Sequence, residues 1–348
     1  MNLTIHEESG SETQIQESFK KSLRVSRIAS WKVFGKKIKF YAPSFSHYEN
    51  SYFHSSIKSF PSISITGTSC ALKCRHCGGK LLETMIPATT PDRLFETCKN
   101  FKDNGASGCL ISGGCLSDGS VPLERFIRAF ARIKRELGLT LLVHTGIIKE
   151  GTAKQLKGSG VDAALIDIIG SDETIGEIYK LNARVRDYEA SLKALKESGI
   201  PFIPHVIVGL HYGILKGEVH SLEMISKYSP EAVVIIAFIP LKRTLMEATS
   251  PPNPKDIAKV IVEARRLLPK TPIVLGCMRP PGKHRVSTDV LAVEAGVNAI
   301  AFPEEAAITL AKSMDLHVEF AYECCSQIYE DINKGDFGKP KLSPAKSE

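Results

Sequence analysis

From Pro61 to Phe302 the chain alternates short β-branched runs with amphipathic stretches, and this alternation constrains the fold more than any other feature. The runs Ser62–Thr66, Gly108–Ser112, Thr140–Thr145, Ala163–Ile168, Phe202–Val208, Ala232–Phe238, Pro272–Leu275 and Asn298–Phe302 read as strands. Between them lie segments such as Leu123–Leu137, Tyr188–Ser198 and Pro254–Leu268, long enough to be crossover helices. Eight such units are what a TIM-type (βα)8 barrel of the α/β class needs, while six would make a partial barrel with a separate tail. The expected organisation is a disordered start at 1–15, a basic N-terminal extension at 16–60, the barrel at 61–310, a C-terminal helical segment at 311–337 and a disordered tail at 338–348.

In such barrels the loops at the carboxyl ends of the strands carry the chemistry. Reading those ends in order gives Cys70, Cys74 and Cys77 after the first run, Gly113-Gly114-Cys115 after the second, His144 at the third and Asp167 at the fourth. The fifth gives Ile207-Val208-Gly209, and the seventh Cys277-Met278-Arg279-Pro280. Thiols and polar groups therefore collect on one rim.

The first three cysteines are spaced C-x3-C-x2-C in Thr68-Ser-Cys-Ala-Leu-Lys-Cys-Arg-His-Cys-Gly-Gly79. A closed zinc site wants four ligands, usually as two separated pairs, and only Cys74 and Cys77 make such a pair. Three thiolates in so short a run suit one corner of a 4Fe-4S cube, leaving the fourth iron open to a small molecule. A zinc knuckle and a set of buried thiols are the alternatives.

At these residues the chain resembles the radical S-adenosylmethionine (radical SAM) superfamily, with His76 where the residue before the third cysteine is usually aromatic. The resemblance implies that SAM chelates the fourth iron and that an electron from the cluster cleaves it to a 5′-deoxyadenosyl radical, which abstracts hydrogen from an unactivated carbon. Ile111-Ser-Gly-Gly-Cys115 resembles the superfamily's Gly-Gly-Glu motif, with Cys115 replacing the carboxylate, and Val206-Ile-Val-Gly209-Leu resembles the segment that packs on adenine. The implied cofactor contacts are thus Gly113, Gly114, Cys115, His144, Asp167, Ile207 and Gly209. Arg186 stands where biotin synthase-like members carry an arginine for the SAM carboxylate, a task that suits a guanidinium; a surface charge at a helix start is the other reading.

The likeness to biotin synthase runs from about Ser62 to Phe302 but does not extend to that enzyme's later cluster ligands, whose places are taken here by aliphatic residues, with only Cys109 near a matching one. Cys98 and Cys109 read as small buried hydrophobes. Cys115, Cys277 and adjacent Cys324-Cys325, which follow the last helical region and could return over the barrel mouth, are four thiols able to hold a second iron–sulfur cluster or to stand as separate thiols. A second cluster would point to sulfur insertion, as in biotin and lipoyl synthases. His76-Cys-Gly-Gly-Lys80 and Gly276-Cys-Met-Arg-Pro280 resemble the archaeal-type lipoyl synthase, which divides its two insertions between related radical SAM proteins. A radical SAM isomerase, lyase or methylase acting on a small metabolite is the rival and needs no second cluster; an electron carrier leaves the SAM-like constellation unexplained.

The charge pattern bears on partners. The formal net charge is +7, and the eight basic residues Lys20, Lys21, Arg24, Arg27, Lys32, Lys36, Lys37 and Lys39, with no acidic residue among them, account for the whole excess. The segment is either a solvated face or a docking surface for an acidic partner, such as the carrier domain that bears an octanoyl lysine. Trp31, Phe34, Phe40 and Tyr41 interleave with the bases, yet aromatics at this spacing more often pack on a domain than stack on nucleic acid. The resemblance also implies a low-potential donor of ferredoxin or flavodoxin type and, for the lipoyl reading, a paralogous radical SAM protein. Nine cysteines, no run approaching eighteen apolar residues and no signal-peptide pattern at Met1–Gly10 lead to the expectation of a cytoplasmic protein without a membrane partner.

Overall fold

The computed structural model describes residues 11–44, 47–53, 55 and 59–333. Its strands are β1 (Lys37–Tyr41), β2 (Ser62–Ser64), β3 (Ile86–Pro87), β4 (Gly108–Ser112), β5 (Thr140–His144), β6 (Ala163–Asp167), β7 (Phe202–Val208), β8 (Val233–Ala237), β9 (Ile273–Leu275), β10 (Ala299–Ala301) and β11 (His317–Ala321). They form one sheet in the order β11-β1-β10-β9-β8-β7-β6-β5-β4-β2-β3, and every pairing is parallel. Strands β2 and β4 to β10 are the eight expected from the sequence. Parallel strands covered on both faces read as continuous apolar runs, which is why they were visible there.

The ring does not close as a ladder. Strands β3 and β11 are its two edges, because β1 and β11 continue the sheet past β10 where closure would have required β2. The curvature nevertheless brings the ends together: Ser59 Oγ, just before β2, donates to the Tyr322 carbonyl, just after β11, at 3.1 Å. The architecture is the expected α/β barrel type, present as a partial barrel whose sheet stays open.

The described part of the N-terminal extension packs on the barrel. A helix runs over Glu12–Phe34, starting within the segment expected to be disordered, because Ser11 and Gln14 form a capping box. The helix docks on the barrel's outer layer, where Ser26 Oγ donates to the Ala295 carbonyl and Arg27 to the Glu294 carbonyl, each at 2.7 Å. It leads into β1, whose Phe40 and Tyr41 are core residues, so these aromatics pack and do not stack on a ligand. The tail expected at 338–348 lies outside the described residues.

Side chains alternate between the two faces of each strand. Leu141 and Val143 of β5 pack toward the helices, while Leu142 faces the barrel interior with Leu165, Ile203, Val234 and Val274. The interior set includes Ile328 and Tyr329, so the helix Ile328–Asn333 lies inside the barrel. Tyr329 OH donates to the carbonyl of Asp162, ahead of β6, and Asp331 meets Lys39 of β1. Within the C-terminal segment expected to be helical, β11 joins the sheet before the helix Ile328–Asn333 fills the barrel floor.

Candidate active site

Above that floor is one cavity of about 400 Å³ at the carboxyl ends of the strands. Cys70, Cys74, Cys77, Gly113, Gly114, Cys115, His144, Asp167, Ile207, Cys277, Cys324 and Cys325 all line it. The residues expected at the site share this cavity, apart from Arg186 and Gly209.

Arg186 is exposed on the helix Val185–Ser198, on the side of Asp172, and does not line the cavity. The buried face of that helix offers Tyr188 instead, half a turn later. Gly209 also stands outside: its positive φ of 72° turns the chain, and its N–H donates to Glu218 Oε1 at 2.8 Å. Buried Glu218 also accepts from Lys216 N at 2.5 Å, so Gly209 shapes the loop after β7 rather than the cavity wall.

The cysteine loop is fastened on two sides. Ala71 N donates to the Cys115 carbonyl at 2.8 Å, and Arg75 N to the Ile178 carbonyl at 2.7 Å. Gly114 explains the first contact, since a Cβ there would lie 2.0 Å from the Ser69 carbonyl oxygen and 2.6 Å from Cys70 Cβ. Its N–H donates to Thr66 Oγ1 at 2.7 Å. In this structure the glycine pair serves the approach of the cysteine loop. A hydrogen bond from Cys74, with help from His76, holds the Cys77 thiol well below its ordinary range, and Cys74 is correspondingly raised. Burial, with Cys70 and Asp167 nearby, pushes Cys115 up to about 12.

The thiols divide into two groups. Cys115 feels Cys70 and Cys77, whereas Cys277 feels Cys324, and Cys325 feels both of these. Of the four thiols of the expected second set, Cys115 lies nearer the loop cysteines, while Cys277, Cys324 and Cys325 neighbour one another in the same cavity. Cys98 and Cys109 sit apart in the outer core, with their sulfurs 3.9 Å from one another.

Between the thiol groups stand His144, Asp167 and His205, on adjacent strands, with one ligand-type atom from each within 4.8 Å of the others. His144 Nε2 lies 3.5 Å from Asp167 Oδ1. Burial would lower His144, but the Asp167 carboxylate overrides it and the imidazole is held above its ordinary value. Burial would raise Asp167, and His144 holds it below the carboxylate range instead. Burial and the charge of His144 push His205 down to about 4, so it is neutral. Sequence reasoning missed His205, although it faces the same way as Ile207, two residues on, and Tyr179 and Tyr188, which also line the cavity.

A partial α/β barrel with a three-cysteine loop at its carboxyl rim defines the class. Residues 64–217 match the family model described as the radical SAM superfamily. Biotin synthase of Acidithiobacillus ferrooxidans is 24% identical over 246 residues, spanning 68% of this chain and 76% of that one. Biotin synthase 2 of Polaromonas sp. is 27% identical over 252 residues, spanning 70% and 71%. In fold the chain is similar to methylornithine synthase, with a TM-score of 0.60 at 16% identity over 91% of this chain and 92% of that one. It is also similar to the [FeFe]-hydrogenase maturase HydG, with a TM-score of 0.61 at 14% identity over 85% and 62%. The radical SAM match and the likeness to biotin synthases support a radical SAM enzyme of the biotin synthase-like branch.

The residues present fit the 4Fe-4S cluster and SAM that the family implies. Three thiols of one loop face the cavity, one with thiolate character, and His76 Nδ1 beside them is buried without a hydrogen-bond partner among the described residues. No helix among the described residues is long and apolar enough to cross a membrane.

Proposed function

We propose that this enzyme inserts sulfur at an unactivated carbon of a protein-bound octanoyl group, as one member of a two-protein lipoyl synthase of the archaeal type. The observation that carries the reading is the second thiol group, Cys277, Cys324 and Cys325, in the same cavity as the radical SAM loop. When bound, the first cluster and SAM supply the hydrogen-abstracting radical, and a second cluster on these cysteines supplies sulfide.

The chain's own residues suit an aliphatic substrate. Leu72, Leu82, Leu110, Ile236, Phe238 and Leu241 give the cavity a mostly apolar wall, which excludes water and orients an acyl chain by burial. Cys70, Cys74 and Cys77 would hold the first cluster. Gly113, Gly114, Cys115, Asp167 and Ile207 would border SAM, with Asp167 ionised and able to accept hydroxyl hydrogen bonds. The partners in this reading are a low-potential ferredoxin or flavodoxin, an acidic carrier domain and a paralogous radical SAM protein, in the cytoplasm.

The test is an anaerobic count of iron and sulfide, followed by an assay of sulfur incorporation into an octanoyl-lysine peptide. Two clusters per chain and a thiolated product are expected. In the Cys70→Ala, Cys74→Ala, Cys77→Ala variant, SAM cleavage should vanish while the second cluster stays. One cluster in the wild type, and none in that variant, would overturn sulfur insertion in favour of chemistry on a small metabolite.

A further inference from the structure

Abstraction of hydrogen from an acyl chain needs no imidazole, yet two stand together in the cavity wall. His144 of β5 and His205 of β7 line it on either side of Asp167, with β6 between their strands and their ring centroids 5.6 Å apart. Asp167 and His205 are partners in the sheet register, so the backbone itself brings them level.

His205 is oriented as a ligand. Its Nδ1 lies 3.1 Å from the Ile203 carbonyl, which can only accept, so the neutral ring carries its proton on Nδ1 and leaves Nε2 as a bare lone pair. That is the ring's only hydrogen bond among the described residues. One ring nitrogen tied to a backbone carbonyl, with the other free, is the arrangement that orients metal-ligating histidines. His144 Nε2 and Asp167 Oδ1 are 3.5 Å apart, beyond the range of about 2.7–3.2 Å usual for a hydrogen bond. Two atoms bound about 2.1 Å from one tetrahedral metal stand about 3.4 Å apart, so the gap has the width that a shared metal ion requires. One ligand-type atom from each of the three residues lies within 4.8 Å of the others, and side-chain rotation closes the set.

We propose that His144, Asp167 and His205 bind one divalent transition-metal ion, separate from any iron–sulfur cluster. Two imidazole nitrogens and a carboxylate oxygen suit zinc, iron(II) or cobalt(II), whereas magnesium and calcium take oxygen ligands. On binding, the proton held between His144 and Asp167 leaves to solvent, as ligation requires. Ligation through Oδ1 leaves Oδ2 of Asp167 for a SAM hydroxyl. Three protein ligands leave a coordination position open toward the cavity, where a water or an oxygen or sulfur atom of the substrate can bind. The site depends on neither the second cluster nor sulfur insertion.

The experiment uses the full chain with Cys70, Cys74, Cys77, Cys277, Cys324 and Cys325 changed to Ala, titrated anaerobically with cobalt(II), so that no cluster competes. One equivalent should bind, with visible d–d bands and no sulfur-to-cobalt charge-transfer band. His205→Ala and Asp167→Asn, added singly, should each weaken binding about tenfold or more. Glu173→Gln, in the surface group Glu173, Glu177 and His211, should leave it unchanged. A parallel metal count on the reconstituted wild-type enzyme dialysed against zinc keeps the test independent of how the cysteine-free variant folds. One zinc per chain is expected there, lost in His205→Ala with the iron content unchanged. No stoichiometric cobalt or zinc in either protein, equal affinity with and without His205, or a sulfur-to-cobalt band would overturn the site. None of these outcomes bears on sulfur insertion, which the iron and sulfide count tests separately.

Discussion

Lys39 Nζ and the Asp331 carboxylate meet inside the barrel across 292 residues of chain. Lys39 is 1% exposed, and Tyr41 OH donates to the same carboxylate at 2.8 Å. The pair ties β1 to the helix that fills the floor, and so fixes the height at which Cys324 and Cys325 enter the cavity.

Removing one partner of an isolated buried ion pair costs about 3–5 kcal/mol. Asp331→Ala should lower the unfolding free energy by less than that, because Glu319 Oε2 stays 3.9 Å from Lys39 Nζ. Lys39→Met, which removes the cation but keeps its stem, should leave Asp331 with Tyr41 and cost less. Denaturant unfolding of the two variants measures the difference, and equal costs would mean that the pair has no special role.

Lys39 also shows why part of the fold was hidden. As a lysine in a basic run it read as solvated, and its acidic partner lies at the other end of the sequence. The strands β4 to β10 were visible because burial on both faces writes itself into consecutive residues. By contrast, β1 and β11 carry Lys39, His317 and Glu319 within their few residues, which breaks the apolar signal. The site was legible where function sits at strand ends, as with His144 and Asp167. It was missed where only the inward face mattered, as with His205, or where helix rotation decided, as with Arg186 against Tyr188.

Gly114→Ala should be more harmful than Gly113→Ala. The new Cβ at 114 would meet the Ser69 carbonyl at 2.0 Å, whereas the nearest atom at 113 is the Thr66 methyl at 3.0 Å. Backbone cannot yield as a side chain can, so the cysteine loop must shift, with a loss of roughly 1–3 kcal/mol in stability. Iron bound at the loop site after reconstitution should fall at least several-fold in Gly114→Ala and little in Gly113→Ala. Similar loading of both variants would contradict the close approach.

His144 and Asp167 should contribute most to stability in mildly acidic solution, while His205, pushed down to about 4, withdraws stability as pH falls below its unfolded value of about 6.5. Asp167, held low when folded, stabilises above its unfolded value of about 3.9, and this is lost as pH falls through the folded pKa. His144, held high when folded, stabilises below its unfolded value of about 6.5, and this is lost as pH rises through the folded pKa. Both contributions are complete between those values. In cluster-free protein, Asp167→Asn should lower the His144 midpoint seen by proton NMR and flatten the pH dependence of unfolding. An unmoved midpoint would show that the carboxylate does not hold the proton on His144.

Docking of an acidic carrier should depend on one end of the N-terminal helix. Strand β1 is parallel to its neighbours, so the helix leading into it runs the opposite way and its C-terminal end lies at the edge where strands begin. Lys36, 3.8 Å from Asp315, and Lys37 are therefore far from the cavity mouth, and Lys39 is buried. Exposed Lys20, Lys21 and Arg24 are nearer the mouth. Reversing those three charges should weaken turnover of a carrier-bound substrate several-fold at low salt and leave uncoupled SAM cleavage unchanged. Reversing Lys36 and Lys37 should do neither. The difference should fade above about 0.1 M salt, where exposed charges are screened over about 10 Å. Equal turnover by wild type and the Lys20, Lys21, Arg24 variant at low salt would make the helix a solvated wall of the barrel with no part in docking.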